Sequence, residues 1–247
     1  MVRSGNMTAD DRLIVALDFP TGEEAKNMVL ALGDAVSYYK VGMELYYAAG
    51  ADIVKFLKEQ KKHVFLDLKL QDIPNTVAKS LSVLTRLGAD IMNVHTVGGA
   101  KMMREAAQAV KETAAQLGIP VPKLIGVTVL TSMDNEQWEQ LNYAKSIGEE
   151  VVELAKLAKT CGLDGVVASP KEAAAIRKAC GSDFLIVTPG IRPVGAASND
   201  QSRIATPAGA IKNGSTHLVV GRPITKAENK IAAVESIVSE IRGVKND

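Results

Sequence analysis

Short runs rich in β-branched and apolar residues alternate along the chain with longer stretches in which apolar positions recur every three or four residues. The first kind reads as buried strand and the second as amphipathic helix. Eight runs qualify as strands: RLIVALDF (12–19), YYKVGM (38–43), HVFLDLKL (63–70), IMNVHT (91–96), KLIGVTVL (123–130), GVVAS (165–169), FLIVTPG (184–190) and HLVVGRPI (217–224). Helical patterns such as AAQAVKETAAQLG and VVELAKLAKTCG lie between them, and helices stop at Gly33, Gly88, Gly118, Gly162 and Gly181. Strict strand–helix alternation predicts a parallel sheet. Eight units in 247 residues predict an α/β fold of the (β/α)8 TIM barrel type, in a single domain. The rival is an open doubly wound sheet. Its dinucleotide form is disfavoured because the first strand runs into LDFPTGEEA, with no GxGxxG turn. No linker or break in composition divides residues 12–244, which are taken as the catalytic barrel. Residues 1–11, MVRSGNMTADD, read as a flexible tail with no apolar signal core.

Composition narrows the function. Apolar residues make up 47% of the chain, enough for a large core, and 29 basic residues balance 28 acidic ones to a net charge of +1. No strong field is available for nucleic acid or a membrane surface, and 4% aromatic content offers little for base stacking. No apolar run approaches the ~20 residues of a membrane span. The two cysteines, Cys161 and Cys180, read as small half-buried thiols suited to a reducing cytoplasm.

The informative residues are charges placed where a strand should be apolar. FLDLKLQDIPNT (65–76) carries Asp67, Lys69 and Asp72 within six residues. Charge is costly to bury unless it is paired or used. Side chains alternate across a strand, so Leu66, Leu68 and Leu70 face the helix layer and Asp67 and Lys69 face the barrel interior. The same parity turns Asp18 and Lys40 inward on the first two strands. All four then meet at the C-terminal mouth, where barrel enzymes place their chemistry. Asp72 lies beyond the strand, able to reach this mouth or a neighbouring subunit. Asn93 and His95 close the fourth strand, and Thr131 and Ser132 follow the fifth. The three histidines, 63, 95 and 217, have no paired metal-ligand spacing and read as structural.

The loops after strands seven and eight commonly hold a phosphate in this architecture. TPGIRP (188–193) and VVGRPIT (219–225) supply glycines for close backbone approach and the forks of Arg192 and Arg222. The polar, proline-bounded segment 192–207 reads as a lid carrying Gln201.

DLKLQDIPNT, YYKVG, LDF, VLTS, TPGIR and VVGRPIT, taken in order from Asp18 to Arg222, resemble the bacterial orotidine 5′-phosphate decarboxylase family. The Asp-x-Lys-x-x-Asp-Ile-Pro-Asn-Thr stretch is the most specific element. The resemblance implies a homodimeric (β/α)8 barrel that converts orotidine 5′-monophosphate to UMP and CO2 without a cofactor or metal. It implies that Lys40, Asp67 and Lys69 form a charged array, that Asp72 joins it from the other subunit, and that Lys69 donates the proton. Asp18 and Lys40 would contact the ribose, supported by Thr76 across the interface, with Ile73 beside them in the substrate site. Thr131 and Ser132 would line the pyrimidine side, and Arg192, Gln201, Gly221 and Arg222 would hold the phosphate. Two other readings stay open. Magnesium-dependent sugar-phosphate decarboxylases and aldolases share Asp-x-Lys-x-x-Asp but typically carry a glutamate ligand where this chain has Lys40. A non-catalytic nucleotide-binding barrel is the third.

Overall fold

Eight parallel strands close on themselves in chain order in the computed structural model, which describes residues 9–193 and 205–244. The strands are β1 (Leu13–Ala16), β2 (Tyr38–Gly42), β3 (His63–Leu70), β4 (Ile91–His95), β5 (Lys123–Val127), β6 (Gly165–Val167), β7 (Leu185–Thr188) and β8 (His217–Val220). The barrel is sealed where Ile14 of β1 pairs with Val219 of β8. Helices α1 (Gly22–Leu32), α2 (Met43–Ala49), α3 (Asp52–Glu59), α4 (Pro74–Arg86), α5 (Gly99–Leu117), α6 (Asn135–Gln140), α7 (Ile147–Thr160), α8 (Ala173–Cys180), α9 (Pro207–Lys212), α10 (Arg222–Thr225) and α11 (Lys230–Gly243) connect the strands. The helices start where local chemistry satisfies their free N–H groups. Ser146 and Glu149 form a reciprocal capping box on α7, and Pro74 opens α4.

Alternation in the strands sorts side chains into two cores. Ile14, Ala16, Tyr38, Phe65, Ile91, Ile125, Val187 and Val219 fill the barrel interior. The opposite parity, such as Val15, Tyr39, Leu66, Met92 and Leu218, packs against the helices. At the N-terminal end Tyr38 meets the rings of His63 and His217, with centroids 5.3 and 6.2 Å away. The interior carries a cavity toward the C-terminal ends of the strands, lined by Lys40, Asp67 and Lys69.

Most strands are shorter than their apolar runs, for reasons visible at each end. β5 stops at Val127 because both the N–H and the Oγ1 of Thr128 donate to the Val167 carbonyl, which turns the chain out of the ladder. β7 stops at Thr188 because Pro189 has no N–H to give. The run 217–224 divides into β8 and the short α10, opened by Arg222 and Pro223. Of the tail, residues 1–8 lie outside the described residues, and Asp10 accepts from Arg12 and Arg242. Among the described residues no helix is long and apolar enough to cross a membrane.

Candidate active site

The C-terminal ends of β1, β2 and β3 bring Asp18, Lys40, Asp67 and Lys69 into one connected array. Lys40 Nζ donates to Asp18 Oδ1 at 3.0 Å and lies 3.4 Å from Asp67 Oδ2. Lys69 Nζ donates to Asp67 Oδ1 at 2.7 Å. Lys40 and Asp67 are buried, whereas the Asp18 side chain is 61% exposed. Burial works against ionising Asp67, but the Lys40 and Lys69 ammoniums and hydrogen bonds from Lys69 and Asn93 hold its carboxyl below the usual carboxylate range. Burial also opposes the charge on Lys40, and Asp67 and Asp18 more than offset it, leaving the amine above the ordinary lysine value. The array is thus locked in alternating charge, with each buried ion paired.

Lys69 reaches the mouth by a different route from simple alternation. Leu66 pairs with Met92 and Leu70 with Val94, so β3 advances four residues while β4 advances two. The surplus is taken up in a bulge, and Lys69 adopts φ 51°, the left-handed region. Its N–H donates sideways to Asn93 Oδ1 at 2.8 Å, and Asn93 Nδ2 donates to Asp67 Oδ1 at 2.7 Å. Asn93 was not among the site residues inferred above, yet it shares the inward parity of Ile91, and that parity was the available signal. His95 follows at the end of β4. Burial and the nearby Lys69 cation, against a weaker opposite pull from Asp67, lower its pKa, so the ring is neutral at pH 7.

Lys40, Asp67 and Lys69 of the array form one wall of a cavity of about 180 Å³, and Asp18 lies outside it. Phe65 lies in its floor, and Val127, Val129, Leu130, Val167, Val187, Pro189 and Val219 form the opposite, apolar wall. Thr131 lines it, whereas Ser132 is exposed and does not. Arg192 is buried after β7, with its N–H donating to Ala205 and Nη1 donating to Ile191 O. Gly221 caps α10, and Arg222 opens that helix at the surface. Gln201 lies outside the described residues. Asp72, Ile73 and Thr76 stand away from the array around the start of α4, all exposed, with Asp72 accepting the Ile73 N–H at 2.7 Å. Among the described residues no three His, Cys, Asp or Glu side chains gather into a metal-holding group.

A closed barrel whose mouth sets a buried, ion-paired lysine–aspartate chain against an apolar wall defines an enzyme that works with fixed charges. Comparison with known proteins gives the family. Residues 11–237 match the model of the Orotidine 5'-phosphate decarboxylase / HUMPS family, and the chain belongs to that family. It is 48% identical over 240 residues to orotidine 5'-phosphate decarboxylase of Moorella thermoacetica, covering 97% of this chain and 95% of that protein. The crystal structure of the enzyme of that name from Lactobacillus acidophilus aligns with a TM-score of 0.84 at 42% identity, over 95% of this chain and all of the other. That from Pyrococcus horikoshii aligns with a TM-score of 0.73 at 30% identity, over 94% and 100% of the two chains.

Proposed function

We propose that this protein decarboxylates orotidine 5′-monophosphate to UMP and CO2, the closing step of UMP synthesis, with the Asp18–Lys40–Asp67–Lys69 array as its chemical centre. The observation that carries the reading is the array itself. Four charges from three adjacent strands are paired within 3.4 Å, and three of them, Lys40, Asp67 and Lys69, face an apolar cavity. A register-fixing ion network would need neither the cavity nor the position at the strand ends.

The planar pyrimidine lies against the apolar wall, with Thr131 on its edge, and turns its carboxylate toward Asp67. The bond from ring carbon to carboxylate breaks, CO2 leaves, and the electron pair stays on the ring carbon. The Lys69 ammonium stabilises that pair where water is excluded and then transfers one proton to it. Asp67 keeps Lys69 charged and oriented, and Lys40 balances Asp67. Asp18 and Lys40 also take the ribose hydroxyls. Arg192, Gln201, Gly221 and Arg222 hold the phosphate, whose binding positions the ring. No cofactor enters the sequence of steps. Asp72 and Thr76 serve the active site of a partner subunit in a homodimer, and Ile73 stands beside them as a substrate-site residue. Their exposure beside, but outside, their own array supports that assignment. Cys161 and Cys180 are both free and buried, in keeping with a reducing cytoplasm.

The test is direct. Protein mixed with orotidine 5′-monophosphate in excess EDTA should convert the orotate absorbance to that of UMP, and Lys69→Ala should abolish the change while still binding UMP. Retained turnover in Lys69→Ala sinks the proton-donor assignment. Silence in EDTA followed by magnesium-dependent turnover of a keto-sugar phosphate would make this a metal-dependent barrel enzyme instead.

A further inference from the structure

Asn93 is among the most deeply buried polar side chains of the barrel, 1% exposed on β4. Both ends of its amide are engaged with the array. Nδ2 donates to the Asp67 carboxylate at 2.7 Å, and Oδ1 accepts the Lys69 backbone N–H at 2.8 Å. A carboxamide combines a neutral donor and acceptor on one planar head in this way. The partners fix its orientation, since a carboxylate only accepts and a backbone N–H only donates.

The second bond replaces one that the sheet cannot make. In the β3 bulge the Lys69 backbone is left-handed, at φ 51°, which costs a non-glycine residue about 1–2 kcal/mol. Such a conformation persists only where its surroundings over-determine it. Asn93 gives the displaced N–H its acceptor and, with the other end of the same amide, fixes the rotation of Asp67. Asp67 Oδ1 then receives Lys69 Nζ at 2.7 Å, which closes a ring of contacts through Asn93, Asp67 and both ends of Lys69.

We infer that Asn93 is a positioning residue of the decarboxylation: its amide sets the Asp67 carboxylate and the left-handed Lys69 backbone in the one mutual geometry that aims the Lys69 ammonium into the cavity. Asn93 does not line that cavity, so it acts through its two neighbours. The inference rests on Lys69 as proton donor to orotidine 5′-monophosphate.

Two variants test it beside the wild type, with circular dichroism to establish folding. Asn93→Ala removes both bonds. A displacement on the scale of ~1 Å at a reacting group costs about 100-fold in rate, so kcat should fall by about that factor. The UMP dissociation constant should stay within about threefold, because the phosphate loops are on other strands. Asn93→Asp keeps an acceptor for Lys69 but places a second carboxylate against Asp67. Neighbouring carboxylates share a proton, so the acid limb of kcat should move to higher pH than in the wild type. Absence of turnover in the wild type would overturn the decarboxylase reading itself. Given wild-type turnover, the kcat loss with UMP affinity retained, together with the upward shift of the acid limb in Asn93→Asp, establishes the role. A folded Asn93→Ala protein with kcat within threefold of wild type refutes it, as does parallel loss of melting temperature, kcat and UMP affinity. If Asn93→Ala does not fold, the Asn93→Asp profile decides, and a profile parallel to wild type refutes the inference.

Discussion

Replacing Gly42 by alanine probes how finely Lys40 is held. A β carbon at position 42 stands 2.9 Å from Lys40 Nζ and 3.6 Å from Asp18 Oδ1. The backbone there, φ −89° and ψ −179°, is open to any residue, so the penalty is steric and falls on the ammonium. Ordinary non-bonded separation begins near ~3.5 Å, so Nζ must recede by about 0.6 Å. A free surface lysine would do so at no cost. Lys40 is buried between Asp18 at 3.0 Å and Asp67 at 3.4 Å, and any retreat lengthens at least one of these bonds. Since a shift of ~1 Å can cost about 100-fold, a displacement of this size should lower kcat/KM about 10-fold, equivalent to about 1.4 kcal/mol. Gly42 also caps α2, and alanine is a poorer cap by up to about 1 kcal/mol. Gly42→Ser, with the same β carbon and a capping hydroxyl, should recover stability without recovering activity. The assay is steady-state decarboxylation beside thermal unfolding of both variants. A kcat/KM within twofold of wild type in both would refute the claim that the Lys40 position is set by its two carboxylates.

Two further outcomes are expected. Arg222→Ala should reduce kcat/KM by about 100-fold or more, near 2.8 kcal/mol at ~1.4 per decade, while leaving the melting temperature unchanged, because Arg222 is exposed; a near-wild-type rate constant removes it from the phosphate site. Asp67 has a folded pKa below its unfolded value, so its contribution to stability is complete above the unfolded value of about 3.9 and is lost as pH falls through the folded one. Urea unfolding of the wild type should therefore weaken more steeply below about pH 4 than that of Asp67→Asn, and equal slopes would remove Asp67 from the acid response.

Strand parity carried the sequence reading far because period-two alternation is enforced by the pleat. Leu66, Leu68 and Leu70 on one face oblige Asp67 to the other, and the same logic places Asp18 and Lys40. Lys69 fell on the expected side although the alternation beneath it is broken, since a bulge leaves no mark in a run as uniform as HVFLDLKL. Asn93 was placed at the end of the fourth strand but given no role, because an uncharged amide within IMNVH does not reveal its two partners on another strand. The ends of β5 and β7 were overrun because TVL is as apolar as strand and because FLIVTPG was carried past Thr188 through Pro189 and Gly190. What stops them is a side-chain hydrogen bond from Thr128 and the missing N–H of Pro189. The exposure of Asp72 and Thr76 was not legible in the sequence, since the short loop after β3 has no periodicity that separates a polar residue facing solvent from one facing the mouth.

The array is drawn from neighbours in sequence, residues 18 to 69, whereas the seam that closes the barrel joins Ile14 to Val219. Bringing residues so far apart together carries the larger loop-closure cost, and long-range pairings of this kind form late. On that order of events the lysines and aspartates would meet while still in contact with water, and their desolvation would wait until the apolar strands β5 to β8 close the last seam. In folding terms, the step that completes the barrel is also the step that dries its charges, so no earlier intermediate has to hold them buried and alone.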